Sequence, residues 1–302
     1  MINRTEQEIM QNWKGDLSKP VVSICTITYN HEKYIAESID SFLMQETNFV
    51  FEIVIGEDCS TDRTKKIIES YILRYPNIIR IITSDTNVGM NKNFIRTIKS
   101  CVGANIALCE GDDYWTDIKK LQIQKDFLES NPEYVICYTG VEAFDENGIV
   151  KRYVGGAIKD LSQFEMKQAT PINTLTVMFK NVIKEFPMEM TGSKHGDLFI
   201  WSILGHYGRG KYLSKIKPCR YRVHEGGVHS MLSEKNRYEN ALITYTALFA
   251  YYKRLNDSNL IKYFQQKILE VLLRMDNSVL KIFVGVMKQK VRKIMSKLKQ
   301  ES

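Results

Sequence analysis

What this 302-residue chain lacks narrows its class before any motif is considered. No apolar run approaches the ~18 residues that a membrane-spanning helix needs. The stretch "MINRTEQEIMQNWKGD" at the amino end is polar and holds no signal-peptide core, which points to a cytoplasmic protein. Cysteine pairs are missing too. Cys25, Cys59, Cys101, Cys109, Cys137 and Cys219 form no C-x-x-C and mostly fall inside apolar runs. They read as reduced, buried thiols, against a zinc site or a disulfide framework. Net charge is scarce outside one segment. Of the net +7, +6 lies between Lys281 and Ser302, so the body is nearly neutral and gives no case for nucleic-acid binding. The hydrophobic share of 44% and charged share of 25% are those of an ordinary globular protein, long enough for a sizeable core in one or two domains.

What is present is a rhythm. "VVSICTIT", "FEIVIG", "IIRIITS" and "ANIALC" are short runs rich in β-branched residues. Between them lie "EKYIAESIDSFL", "RTKKIIESYILRY" and "NKNFIRTIKSC", with apolar residues at helical spacing. Continuous apolar strands joined by helical crossovers predict an α/β fold with an open, mostly parallel sheet covered by helices on both faces. In such sheets a ligand sits beyond the carboxyl ends of the strands. The segments following the four runs there are "YNHE", "EDCSTD", "SDTNVG" and "EGDDYW", all polar or acidic.

Glu110, Asp112 and Asp113 repel one another, so solvent, a basic partner or a cation must offset the repulsion. One reading is a solvated loop with Thr116 or Asp117 capping the next helix. The other is a hard-cation site with oxygen ligands from Asp112, and Asp113 or Glu110, holding Mg2+ or Mn2+ on a diphosphate. Trp115 walls that pocket or belongs to the core. In "GEDCSTDRT", Ser60, Thr61 and Asp62 suit a helix N-terminus, whereas Asp58 precedes the cap and faces the crevice. A carboxylate there can accept the imide N–H of uracil or thymine.

Together, "TITYNHEKYIAESIDSFLMQ", "EIVIGEDCSTDRT" and "EGDDYW" resemble the signature segments of the family-2 inverting glycosyltransferases of GT-A fold, of the bacterial surface-polysaccharide type. The likeness runs from about Pro20 to about Ser230. It implies that Thr28, Tyr29 and Asn30 line the nucleoside pocket and that Asp58 contacts the base. It also implies that Glu110 to Asp112 stands for the family's D-x-D, with Asp112 a metal ligand and Asp113 near the donor sugar. Glu110 replaces the usual Asp and Cys59 the usual Gly, so the sugar contact and the turn there are expected to differ. The implied chemistry is transfer of a hexose from a UDP-sugar, less readily a dTDP-sugar, with Mn2+ or Mg2+ as cofactor. The implied acceptor is a lipid-linked (polyprenyl diphosphate) or other saccharide of O-antigen or capsule assembly.

An inverting displacement needs a base for the acceptor hydroxyl. In "GSKHGDLFIWSIL", Asp197 opens an apolar helix, where the family places its base; a plain N-cap is the competing reading, and Glu189 a substitute base. His195 reads as a rim or structural residue. "CRYRVHEGGVHS" offers Arg222 to the donor diphosphate and His224 to the metal or diphosphate, with His229 a weaker candidate. A nucleotidyltransferase is the rival enzyme, but "TYNHEKY" has no glycine to admit a triphosphate. A non-catalytic nucleotide-binding protein would not be expected to keep Asp58, Glu110, Asp112, Asp113 and Asp197 together. A glycoside hydrolase does not suit an open sheet with a nucleotide-type crevice.

The organisation expected is an extension over 1–19, a catalytic domain over 20–230 (donor half about 20–115, acceptor half about 116–230) and helices over 231–302. Three helices are predicted there. In the last, Phe283, Met287 or Val286, Val291, Ile294 and Leu298 form an apolar stripe with lysines on the remaining face. The stripe is read as a peripheral anchor on the anionic inner face of the membrane, packing on the domain being the alternative.

Overall fold

The computed structural model describes residues 4–151, 155–227 and 232–275. The chain divides into two compact units: Met1–Thr191 with Gly196–Met231, and Gly192–His195 with Leu232–Ser302.

In the first unit, strands β1 (Val22–Thr28), β2 (Phe51–Glu57), β3 (Ile79–Ile82) and β4 (Asn105–Leu108) are joined by helices α2 (Ile35–Leu43), α3 (Thr64–Arg74) and α4 (Met90–Ser100). A short α1 (Glu6–Met10) precedes them, and α5 (Lys120–Ser130) follows. The four strands are parallel, in the order β3-β2-β1-β4. The run of buried residues along β2 and nearly all of β1 is what strands covered on both faces require. Helix α2 buries Ile35, Ser38, Ile39, Phe42 and Leu43, the i, i+3/i+4, i+7 stripe that seats it on the sheet.

Past β4 the sheet becomes mixed. Strand β8 (Met178–Lys180) lies antiparallel between β4 and β5 (Tyr134–Tyr138), and β9 (Arg209–Tyr212) runs parallel at the β5 edge, making seven strands. A second sheet joins β10 (Cys219–Arg222), β6 (Val141–Asp145) and β7 (Gly148–Ile149). Helices α6 (Gln163–Lys167) and α7 (Gly196–Leu204) belong to the same unit. The strand order places β1 between β2 and β4, so the chain leaves β1 to one side and later returns to the other. That is a topological switch point, and the crevice outside the carboxyl ends of β1 and β4 is where an open α/β sheet binds its ligand.

In the second unit, α8 (Glu234–Arg254) and α9 (Ser258–Met275) pair through Tyr252, whose ring stacks on Phe264 at 5.6 Å. Asn256, at φ 57°, makes the turn between them. His195 donates its backbone N–H to Thr244 at 3.1 Å within this unit. Among the described residues no helix is long and apolar enough to cross a membrane. The expected amphipathic helix beyond Lys281 and the candidate His229 lie outside the described residues.

Candidate active site

The loop after β1 is built on the loop after β2. Asn30, at φ 54°, donates its N–H to Ser60 Oγ (3.0 Å) and accepts the Thr61 N–H on Oδ1 (2.8 Å). His31 and Glu32 donate backbone N–H groups to Thr64 Oγ1 (2.8 Å) and Asp62 Oδ2 (3.0 Å). Ser60 therefore does not cap α3, which starts at Thr64; its hydroxyl holds the first loop instead. Tyr29 is left 42% exposed at the mouth.

The acidic turn is fixed beneath α2. Ser38 Oγ reaches the carbonyls of Gly111 (3.0 Å) and Asp113 (2.6 Å), and Ser41 Oγ accepts the Trp115 N–H. Gly111 has no substitute here, because a Cβ would stand 2.8 Å from the Cβ and Oγ1 of Thr28. Trp115 is core: it is buried, donates Nε1–H to Leu175 O (2.8 Å) and packs on Phe42. Asp117 accepts N–H bonds from Lys119 and from Lys217, and Thr116 Oγ1 donates to Pro218 O, so neither expected cap of α5 stands at its N-terminus.

A backbone bridge from Tyr114 to Arg220 lays β10 beside this turn. As a result His224 Nε2 sits 3.0 Å from Asp112 Oδ2, while His31 Nε2 approaches the same oxygen at 3.9 Å from the opposite loop. Arg222 donates its backbone N–H to Asp113 Oδ1 (2.7 Å) and Nε–H to Asp112 O (2.8 Å). Glu110, Asp112 and Asp113 occupy one turn in three different environments. Burial, then the charge of Asp112, pushes the Glu110 carboxyl up to about 8. Burial, with Asp112 and Glu110 beside it, also raises Asp113 well above the usual range. Burial acts on Asp112 too, but the hydrogen bond from His224 and the nearby His31 outweigh it and hold that carboxyl below its ordinary value. Asp112 is thus the carboxyl of the three whose ionised form is favoured, and it faces two imidazoles.

Four buried side-chain polar atoms among the described residues lack a partner, and three of them are here: Thr28 Oγ1, His31 Nδ1 and Glu110 Oε2. Buried polar atoms are nearly always paired, so orphans gathered at the carboxyl ends of β1 and β4 are groups that a bound ligand would satisfy. Asp197, in the first turn of α7, is half-buried, and its charge is felt at Glu110. Glu189 lies in a single helical turn just before it. Asp58 directly follows β2. It is buried, and its oxygens accept the N–H groups of Val88 (3.0 Å) and Gly89 (2.9 Å), with Arg96 at 3.5 Å.

Residues 23–186 match the model of "Glycosyl transferase family 2". The chain belongs to this family. An uncharacterised protein of Mycobacterium tuberculosis is 44% identical over 127 residues, 42% of this chain and 37% of that one, so the alignment spans just over a third of that relative. A Bacillus subtilis protein named as a putative teichuronic acid biosynthesis glycosyltransferase is 28% identical over 169 residues, 56% of this chain and 64% of that one. The fold is shared with Staphylococcus aureus TarS solved with UDP-GlcNAc, with TM-score 0.59 and 21% identity over 84% of this chain and 72% of that one. It is shared too with a mannosyltransferase of Pyrobaculum calidifontis solved with GDP-Man and Mn2+, with TM-score 0.57 and 16% identity over 87% and 72%. The fold is GT-A-like, as the resemblance of the signature segments implied.

The structure brings together Thr28, Glu110, Asp112, Asp113, Arg222 and His224. His31, within "YNHE", joins them although it carries no motif of its own. The signal was available: an imidazole in the first loop at the ligand end of the sheet. All six cysteines are free thiols, five buried as expected; Cys59 is half-exposed and takes φ 59°, the left-handed conformation in which glycine would be unstrained.

Proposed function

We propose that the chain is an inverting glycosyltransferase that moves a hexose from UDP-glucose or UDP-galactose to a polyprenyl-diphosphate-linked saccharide, in the assembly of a bacterial O-antigen or capsule. The observation that carries this reading is the convergence of an ionised Asp112, two imidazoles and three unpartnered buried polar atoms on the switch-point crevice of a family-2 fold. UDP-GlcNAc in TarS and the teichuronic acid relative support a nucleotide sugar and a polysaccharide product.

The donor set suits a divalent cation. A carboxylate oxygen and an imidazole nitrogen 3.0 Å apart have the spacing of neighbouring ligands on one small ion. Among the described residues no three His, Cys, Asp or Glu groups form a cage by themselves. An open site completed by substrate phosphates is the usual arrangement for Mg2+-type cations. Asp112 and His224 would hold Mn2+ or Mg2+. When bound, the ion stabilises the negative charge that builds on the leaving diphosphate. Asp197 takes the acceptor hydroxyl proton as that oxygen bonds to the sugar C1 and the C1–diphosphate bond breaks on the opposite face. Thr28, Tyr29 and Asn30 line the nucleoside side. Asp58 has a lone pair left for the uracil imide N–H while it keeps both backbone donors.

The test is a nucleotide-release assay across UDP-, dTDP- and GDP-sugars with lipid-diphosphate and free saccharide acceptors. A UDP-hexose with a lipid-diphosphate acceptor is expected to turn over fastest. Release from no nucleotide sugar with any acceptor would overturn the proposal, and fastest release from a dTDP- or GDP-sugar would overturn the donor.

A further inference from the structure

Arg222 was expected at the diphosphate, yet its side chain is already committed to protein. The guanidinium lies over two rings, with Cζ 4.6 Å from the centre of Tyr34 and 4.4 Å from that of Phe144. Nη2 is ion-paired with Glu37 in the first turn of α2, and Nε holds the carbonyl of Asp112. Its own N–H holds Asp113 Oδ1. The side chain is only 14% exposed, and Glu37 is 52% exposed. One residue therefore ties three parts of the chain: α2, the acidic turn and the end of β10. Two residues further on, His224 points Nε2 at Asp112. Tyr34 touches both, since its ring also lies 4.7 Å from that of His224.

We propose that Arg222, locked by Glu37, is a positioning residue that sets the spacing of Asp112 and His224 rather than a residue that binds the diphosphate. The proposal rests on the donor-site reading above. The chemistry explains why arginine is needed. A planar, permanently charged fork can rest against aromatic rings and still donate in its plane to a carboxylate and a carbonyl, whereas a lysine is a point charge on a flexible stem. The cost of breaking such an outer contact falls on the ligands it aims, and for metal sites it is typically about 10–100-fold in affinity or activity.

The test uses the full chain and its Glu37→Gln, Arg222→Lys and Glu37→Gln/Arg222→Lys variants. Amide exchange is followed over 110–115 and 220–227, and Mn2+ affinity is measured in the presence of UDP. Glu37→Gln alters an exposed carboxylate and is expected to fold as the wild type does. It should speed exchange in both segments and weaken Mn2+ binding about tenfold, in line with outer contacts of metal ligands. Arg222→Lys should do the same, and the double variant should be no worse than Arg222→Lys alone. Wild-type exchange and affinity in Glu37→Gln, or losses that add in the double variant, would overturn the clamp. Failure of the donor-site reading looks different: the wild type itself would bind neither UDP nor Mn2+ with UDP.

Discussion

At the scale of single residues, the site separates three neighbouring carboxyls by environment. Asp112 is kept ionised by imidazoles, while burial favours the protonated form of Glu110 and Asp113. The sign of the consequence follows from linkage. A carboxyl raised from 4.5 to about 8 holds its proton in the folded state after the unfolded chain has lost it. Its stabilisation is complete below the unfolded value and is lost as pH rises through about 8. In metal-free protein, Tm should therefore fall between pH 5 and pH 8.5 by several degrees more in the wild type than in Glu110→Gln. Parallel curves would show that Glu110 is not held protonated. Asp197→Asn keeps the shape but cannot take a proton. It should retain UDP binding and lose ~10²–10⁴-fold in kcat, whereas a loss under about tenfold would move the base to Glu189. Asp112 and His224 were legible in the sequence because their motifs are local. The partnership of Glu37 with Arg222 was not, since the two are 185 residues apart and only the fold makes them neighbours.

At the scale of elements, the βα rhythm was legible because each central strand is mostly apolar and buried almost throughout, and each crossover helix carries a one-sided stripe. Where helices begin was less so. Ser60, Asp62, Thr116 and Asp117 have capping side chains, but each makes a contact distant in sequence: Asn30, Glu32, Pro218 and Lys217 are their partners. Strand β8 was not legible either. It is three residues long, too short for a periodicity to show. Helix α4 depends on one small residue of β2. A Cβ on Gly56 would fall 1.9 Å from Thr97 Oγ1 and 2.8 Å from Asn93 Oδ1, where Asn93 Nδ2 holds the Gly56 carbonyl. Gly56→Ala should push α4 off the sheet, cost about 1–3 kcal/mol in denaturant unfolding and disturb the Asp58 anchor at Val88 and Gly89. Unchanged stability would mean that α4 is free to shift.

For the whole molecule, nearly all the net charge resides in a segment outside the described residues. If that segment is the proposed anchor, the full chain should co-sediment with anionic vesicles at low salt and release as salt rises, since each lysine near such a surface contributes ~1 kcal/mol and is screened within a Debye length. A chain ending at Ser278 should stay in solution. Equal behaviour of the two would discard the membrane role and leave the transferase reading intact. That reading rests on a single central claim: the switch-point crevice binds a nucleoside diphosphate through a cation held at Asp112. Thermal unfolding with UDP, with and without Mn2+, in the wild type and in Asp112→Ala tests it most directly. At 100 times Kd a ligand stabilises by ~2.7 kcal/mol, a shift that unfolding curves resolve readily. The wild type should be stabilised by UDP with Mn2+ and lose most of that on adding EDTA, while Asp112→Ala should unfold as the free wild type does and gain nothing from the ion. Stabilisation by no nucleoside diphosphate, or the same Mn2+-dependent gain in Asp112→Ala, would contradict the account.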